Sequence, residues 1–202
     1  MDRLRTRDLT KVYDRVTVVD RIGLEFQAGA VTALLGRNGA GKTTTFLMMA
    51  GIVKPDGGSV ELNGESVDDI PSYERAQKGL IYLPQQHSVF LKASVLGNLV
   101  LVLEQHAPGA EARARALELL GDFGLLPLRD APAYQLSGGE KRRLEIARAM
   151  IMKPRFLFLD EPFTGIDPIT ILDIQKIILK LKERGIGIVI TDHNVRDTFY
   201  IT

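Results

Sequence analysis

Residues Gly36-Arg37-Asn38-Gly39-Ala40-Gly41-Lys42-Thr43 follow the spacing G-x-x-x-x-G-K-[ST]. Glycines in such a run let the main chain wrap closely and turn its N–H groups toward an anion. The lysine can reach the β- and γ-phosphates of a nucleotide, and the threonine hydroxyl can ligate Mg²⁺. Gly36, Arg37, Asn38, Gly39, Ala40, Gly41, Lys42, Thr43 and Thr44 are therefore the candidate nucleotide-binding residues. Asp160-Glu161 closes the apolar run Phe156-Leu157-Phe158-Leu159. Carboxylates at the carboxyl end of a parallel strand face the ligand crevice. Asp160 can hold the Mg²⁺ shell, and Glu161 can orient and deprotonate an attacking water. Pro162 follows, so a solvated acidic turn competes; the phosphate loop upstream favours the chemical reading.

A second constellation is Leu136-Ser137-Gly138-Gly139-Glu140, placed before the helical pattern Lys141 to Met150. Ser137 and Glu140 fit a capping box. The cap leaves Gly138 and Gly139 unexplained, since two glycines in a first helical turn cost about 1 kcal/mol each relative to alanine. They would expose N–H groups to an approaching anion. The sequence thus carries two helix-terminus phosphate sites. A symmetric head-to-tail pair would bring each second site onto the γ-phosphate held by the other copy.

These motifs need strands and helices to hold them. Ile22, Leu24 and Phe26 alternate with Gly23 and Glu25, the period of a half-buried strand. Val31 to Leu35, Leu80 to Leu83, Phe156 to Leu159 and Ile186 to Thr191 are short apolar runs of buried-strand type. Thr43 to Ala50 reads as a helix stopped by Gly51, with Met48 and Met49 as core residues. Val60-Glu61-Leu62 and Glu65-Ser66-Val67 flank Asn63-Gly64, a hairpin signal. From about Ser94 to Met150 the pattern is helical, and Ile171, Ile174, Ile178 and Leu181 form one more helical stripe. Buried strands alternating with helices imply a mainly parallel sheet, with an antiparallel edge near the N-terminus.

Length and composition narrow the classes. The chain has 202 residues, 45% hydrophobic and 25% charged, which suits one soluble globular domain. Twenty-six Lys and Arg against 25 Asp and Glu leave a formal charge of +1, which disfavours a nucleic-acid partner. Absence of cysteine removes disulfides, thiolate catalysis and Cys-based zinc sites, and suits a reducing cytoplasm. Met1-Asp2-Arg3-Leu4-Arg5 leads into no apolar h-region, so no secretory signal is expected. The longest apolar run, Leu99 to Leu103, is far short of the about 20 residues a span needs. Any membrane role works through a partner.

Together, Gly36–Thr43, Leu136–Glu140 and Phe156–Glu161 resemble the ATP-binding-cassette (ABC) ATPases. Many NTPases share the phosphate loop, whereas Leu-Ser-Gly-Gly-Glu shortly before an aspartate strand is specific to this family. The resemblance covers essentially the whole chain. It implies an α/β P-loop NTPase core of RecA-like type, with a mainly parallel sheet, an N-terminal antiparallel β subdomain and an inserted α-helical subdomain. It implies one ATP-binding domain over 1–202, with 1–85 and 151–202 as nucleotide-binding core and 86–150 as the helical, signature-bearing part. ATP and Mg²⁺ are the implied ligands. Tyr13 resembles the aromatic that stacks on adenine. Gln85, with Gln86 an adjacent rival, resembles the glutamine linking Mg²⁺ and water to the membrane partner. Asp167, also placed to cap a helix before Pro168, resembles the residue that crosses a dimer seam. His193 resembles the switch histidine at the γ-phosphate; it could also cap a helix starting near Asn194.

The resemblance implies a head-to-tail dimer. Ser137, Gly138, Gly139, Glu140 and Asp167 act in trans, and Lys42, Gln85, Glu161 and His193 serve catalysis. It also implies transmembrane subunits as partners and a place on the cytoplasmic face of the inner membrane. The apolar stretch Val89-Phe90-Leu91 is the candidate to receive a short helix from such a subunit; packing under the helical lobe competes. Within the family, Gly41–Phe46, Asp160–Phe163 with Gly165–Pro168, and Thr191–Thr198 are most similar to ATPases of lipopolysaccharide transport. Branched-chain amino-acid importer ATPases come next. Soluble ABC ATPases of DNA repair or chromosome structure insert long coiled coils between phosphate loop and signature; no sustained heptads stand here. Translation-type ABC proteins normally carry two cassettes in one chain, where this has one. A non-hydrolysing nucleotide sensor is disfavoured by Glu161 and His193. Arg37 stands where the family usually has proline, which loosens the loop and predicts tuned affinity. The family continues past the switch histidine, so further chain beyond Thr202 is expected.

Overall fold

A computed structural model describes residues 1–192, 198 and 200–202. In chain order the elements are β1 (Arg3–Tyr13), β2 (Val16–Gln27), β3 (Val31–Leu35), α1 (Lys42–Met49), β4 (Gly57–Leu62), β5 (Glu65–Ser66) and α2 (Ser72–Gln77). Then follow β6 (Leu80–Leu83), α3 (Val95–Leu103), α4 (Gly109–Asp122), α5 (Gly138–Ala149), β7 (Phe156–Asp160), α6 (Pro168–Glu183) and β8 (Gly187–Asp192). The chain divides into two compact units. The first comprises Met1–Gln85, Pro154–Phe163 and Ile178–Thr202; the second comprises Gln86–Lys153 and Thr164–Ile177.

In the first unit, the described strands form two four-stranded sheets, β2-β1-β4-β5 and β3-β8-β7-β6. The former is antiparallel. Asn63 and Gly64 both have positive φ, 56° and 85°, as a tight two-residue hairpin demands. Asn63 also accepts the Arg3 N–H at 2.8 Å, which fixes that turn against β1. The strand β1 was not singled out by the sequence pattern, although Leu4 and Thr6 are buried between arginines at 3, 5 and 7. Six-residue α2 is too short to show a helical period.

The second sheet is parallel throughout. Every residue of β7 and β8 is buried, which is why both read as unbroken apolar runs ending in aspartate. The register sets Leu35 opposite Asp192, Asp160 opposite Thr191, and Leu83 opposite Leu159. The carboxyl ends of four strands therefore share one edge. Phe46, Met48 and Met49 of α1 are fully buried in the core with Phe156, Phe158 and Val189. Phe46 meets Phe158 and the edge of Tyr82 at centroid distances of 5.6 and 6.5 Å. Burial on that face holds the helix whose N-terminus carries the phosphate loop.

The second unit contains α3, α4 and α5. Ser94 caps α3 by accepting the Gly97 N–H at 2.9 Å. On α4, Ala112, Ala116, Leu119 and Leu120 are buried, and the arginines face out.

Candidate functional site

The phosphate loop joins β3 to α1. Gly39 and Gly41 have φ of 79° and 81°. A Cβ on Gly41 would stand 2.5 Å from the Val18 carbonyl oxygen, so both conformation and space require glycine there. Lys42 Nζ lies across its own loop, donating to Gly36 O at 2.6 Å and Arg37 O at 2.9 Å. Phosphate oxygens can replace these two carbonyls as acceptors. Arg37 gives its carbonyl to the loop and keeps its side chain exposed.

Asp160, at the end of β7, is buried. Its Oδ1 accepts from the Thr191 hydroxyl at 2.5 Å and from the Thr43 hydroxyl at 3.2 Å; Oδ2 accepts from the Tyr82 hydroxyl at 3.0 Å. Glu161, the next residue, has φ of 42°, a conformation uncommon for a side-chain-bearing residue. Its N–H donates to Thr191 O at 2.9 Å, which turns the chain out of the strand. Its Oε2 accepts from Gln85 Nε2 at 2.9 Å. A cleft of about 350 Å³ is lined by Val18, Asn38, Gly39, Ala40, Gly41, Lys42, Thr43, Thr44, Gln85 and Glu161. The arrangement offers backbone N–H groups and a cation for phosphate. It also offers hydroxyl, amide and carboxylate oxygens for a hard cation, and the half-buried Glu161 carboxylate for water.

The first unit thus gathers most residues singled out by the sequence. Tyr13 stands apart from them: it is half exposed on the β1–β2 hairpin, with the Lys11 ammonium 5.2 Å from its ring centroid, and it does not line the cleft. His193 lies outside the described residues. Sequence reasoning passed over Val18, Tyr82 and Thr191 as site residues. Tyr82 and Thr191 flank Asp160 from the two neighbouring strands, and only the register reveals it.

In the second unit, Ser137 caps α5 with both arms of the capping box: Glu140 N–H donates to Ser137 Oγ at 3.2 Å, and Ser137 N–H to Glu140 Oε2 at 2.8 Å. The two glycines differ in what requires them. A Cβ on Gly139 would stand 1.9 Å from Thr170 Cγ2, so packing alone demands glycine. A Cβ on Gly138 would meet only Gly165 O at 3.7 Å and His87 Nε2 at 3.9 Å. Packing therefore requires glycine at 139 and leaves room for a Cβ at 138. Asp167 accepts the Thr170 N–H at 3.0 Å. The Thr170 side chain, then its N–H, holds the Asp167 carboxyl below the usual carboxylate range. Val89 is 8% exposed and belongs to the interior of this unit, whereas Phe90 and Leu91 are 46% and 50% exposed. The apolar surface at this loop is therefore Phe90 and Leu91, with Val89 as its buried anchor.

Residues 19–164 match the family described as ABC transporter. The lipopolysaccharide export system ATP-binding protein LptB of Acidithiobacillus ferridurans is 50% identical over 199 residues, 98% of this chain and 83% of that protein. LptB of Escherichia coli is 45% identical over 203 residues, 100% of this chain and 84% of that protein. Among solved structures, the ADP conformation of an ATP-binding cassette of an ABC transporter matches with a TM-score of 0.89 at 26% identity. That likeness covers 100% of this chain and 85% of the other.

Proposed function

This chain belongs to the ABC transporter family, whose ATP-binding cassettes are ATPases, and we propose that it is the ATP-hydrolysing subunit of a lipopolysaccharide exporter. The cargo reading is supported by two export-system relatives at 45% and 50% identity over nearly the whole chain. The observation that carries the chemistry is the meeting of the phosphate loop with Asp160, Glu161 and Gln85 at one sheet edge.

The donor set at that edge fits Mg²⁺: a hydroxyl from Thr43, a buried carboxylate from Asp160 and the side-chain amide oxygen of Gln85 are all hard oxygen ligands. When bound, the ion would neutralise charge on the β- and γ-phosphates. Thr191 and Tyr82 orient the Asp160 carboxylate by hydrogen bonds. Lys42 and the loop N–H groups bind the phosphates, with Tyr13 against the adenine. Gln85 aims the Glu161 carboxylate. Glu161 takes a proton from the attacking water as the new bond to γ-phosphorus forms and the bond to the ADP oxygen breaks. His193 is the residue assigned to the γ-phosphate.

Two copies pair head to tail, so that Ser137, Gly138, Gly139 and Glu140 of each close on the nucleotide of the other, with Asp167 in the seam. Support for this reading is the capped α5 N-terminus, where a Cβ on Gly138 would meet only ordinary contacts. Phe90 and Leu91 receive a membrane subunit. No helix among the described residues is long and apolar enough to cross a membrane, so attachment to the cytoplasmic face of the inner membrane would run through that partner. Glu161→Gln tests the assignment. Phosphate release should fall at least about 100-fold, while ATP still binds and drives pairing. Robust turnover by that variant removes Glu161 as the base.

A further inference from the structure

Ser88 is solvent-exposed, yet both of its main-chain polar groups are held by charged side chains of one helix. Its N–H donates to Glu145 Oε1 at 2.5 Å. Its carbonyl and hydroxyl oxygens both accept from Arg148 Nη2 at 2.8 Å. Glu145 and Arg148 are three residues apart on α5 and so share a face. Glu145 is buried, and its other oxygen takes Arg142 Nη1 at 3.2 Å and faces His87 Nδ1 at 3.3 Å. The Arg148 guanidinium also lies 4.9 Å from the centre of the Phe90 ring.

Two residues on, the pattern repeats from α3. Asn98 is fully buried; its Oδ1 accepts the Phe90 N–H at 2.7 Å, and its Nδ2 donates to Phe90 O at 3.1 Å. A surface loop ordinarily leaves such groups to water. Here the backbone that displays Phe90 and Leu91 is bonded at both poles of Ser88 and both poles of Phe90. A buried carboxylate and a buried amide are costly to leave without these partners.

We propose that Glu145, Arg148 and Asn98 are positioning residues that fasten the Ser88–Leu91 segment to α5 and α3, so that a load taken up at Phe90 reaches the turn Ser137–Glu140 without slack. The load rests on the docking reading above; the fastening does not. Coupling then depends on residues that touch neither nucleotide nor partner helix.

The chain contains no cysteine, so nitroxide labels at Lys92→Cys and Lys141→Cys are unique on the full chain. Double electron–electron resonance between them should give one narrow distance distribution whose width ATP does not change. Arg148→Met with Glu145→Gln should broaden it about twofold or more, and Arg148→Lys should keep it narrow. An equally narrow distribution in the double variant overturns the fastening. Should that variant not fold, Glu145→Gln alone serves: amide exchange at Ser88 should rise about tenfold, and unchanged protection overturns the same claim. In vesicles with the membrane subunits, Arg148→Met should lower lipopolysaccharide moved per ATP by about fivefold or more. The ATPase rate of the isolated chain should stay within about twofold. Equal losses in both would reduce Arg148 to a structural residue. Undiminished co-purification of Phe90→Ala with the membrane subunits would overturn the docking reading and the load path, and leave the label result standing.

Discussion

Replacing Gly139 by alanine places a methyl group 1.9 Å from Thr170 Cγ2, where ordinary contact needs about 3.4 Å or more. Something must move by roughly 1.5 Å, and insertion into a packed site costs about 1–3 kcal/mol. Alanine regains about 1 kcal/mol of helix propensity in the first turn. The expected net is a loss of up to about 2 kcal/mol, or a fall in Tm of up to roughly 4–8 °C for a chain of this size. Thr170→Ser removes Cγ2 and keeps the main-chain N–H bonded to Asp167. Scanning calorimetry of Gly139→Ala, Thr170→Ser and the double variant closes a thermodynamic cycle. The double variant should recover most of the loss. Gly138→Ala meets only ordinary contacts, so it should match or exceed the native Tm while losing ATPase activity through poorer approach of phosphate. A Gly139→Ala loss that Thr170→Ser does not relieve, or an unimpaired ATPase in Gly138→Ala, would refute this division of labour.

Thr191→Val removes a buried hydroxyl from Asp160 while keeping shape; we expect about 1–3 kcal/mol lower stability by urea titration and a weaker Mg²⁺ dependence of ATP hydrolysis. Arg75 is buried, and its guanidinium donates to Met48 O, Met49 O, Ile70 O and Asp68 O, closing the carboxyl end of α1. Arg75→Met should therefore cost about 3 kcal/mol or more by the same titration, since several buried carbonyls lose their donors at once. Asp167, held below its ordinary value of 3.8 by the Thr170 side chain and N–H, adds stability that is fully present at neutral pH. That contribution starts to fade as the pH nears 4 and is gone once the carboxyl protonates in the folded chain; Asp167→Asn should flatten the acid limb of a Tm-versus-pH profile.

Much of the molecule is legible along the chain because its signals are local. The phosphate loop is one continuous peptide whose glycines, lysine and threonine act within eight residues. Strands β7 and β8 are buried on both faces, so their apolar runs declare themselves. The Asn63-Gly64 turn and the Ser137–Glu140 box are likewise short-range. Strand β1 escaped notice because arginines alternate with its buried Leu4 and Thr6, a half-buried pattern that charge disguises.

The partners of Asp160 belong to a different class of information. Tyr82 and Thr191 lie 78 and 31 residues away in sequence, and only the parallel register of β6, β7 and β8 brings their hydroxyls to one carboxylate. Gly139 shows the same limit: its spacing points to a ligand, and only the fold adds that the methyl group of Thr170 leaves no room for a Cβ there. For Val89-Phe90-Leu91 the sequence leaves docking and packing in competition, and the fold divides them: Val89 is buried while Phe90 and Leu91 are exposed. Residue type and spacing determined which chemistry this chain could hold. The packing of distant segments decided which side chains orient it, because hydrogen bonding and steric exclusion act over ångströms in space and carry no trace of separation along the chain.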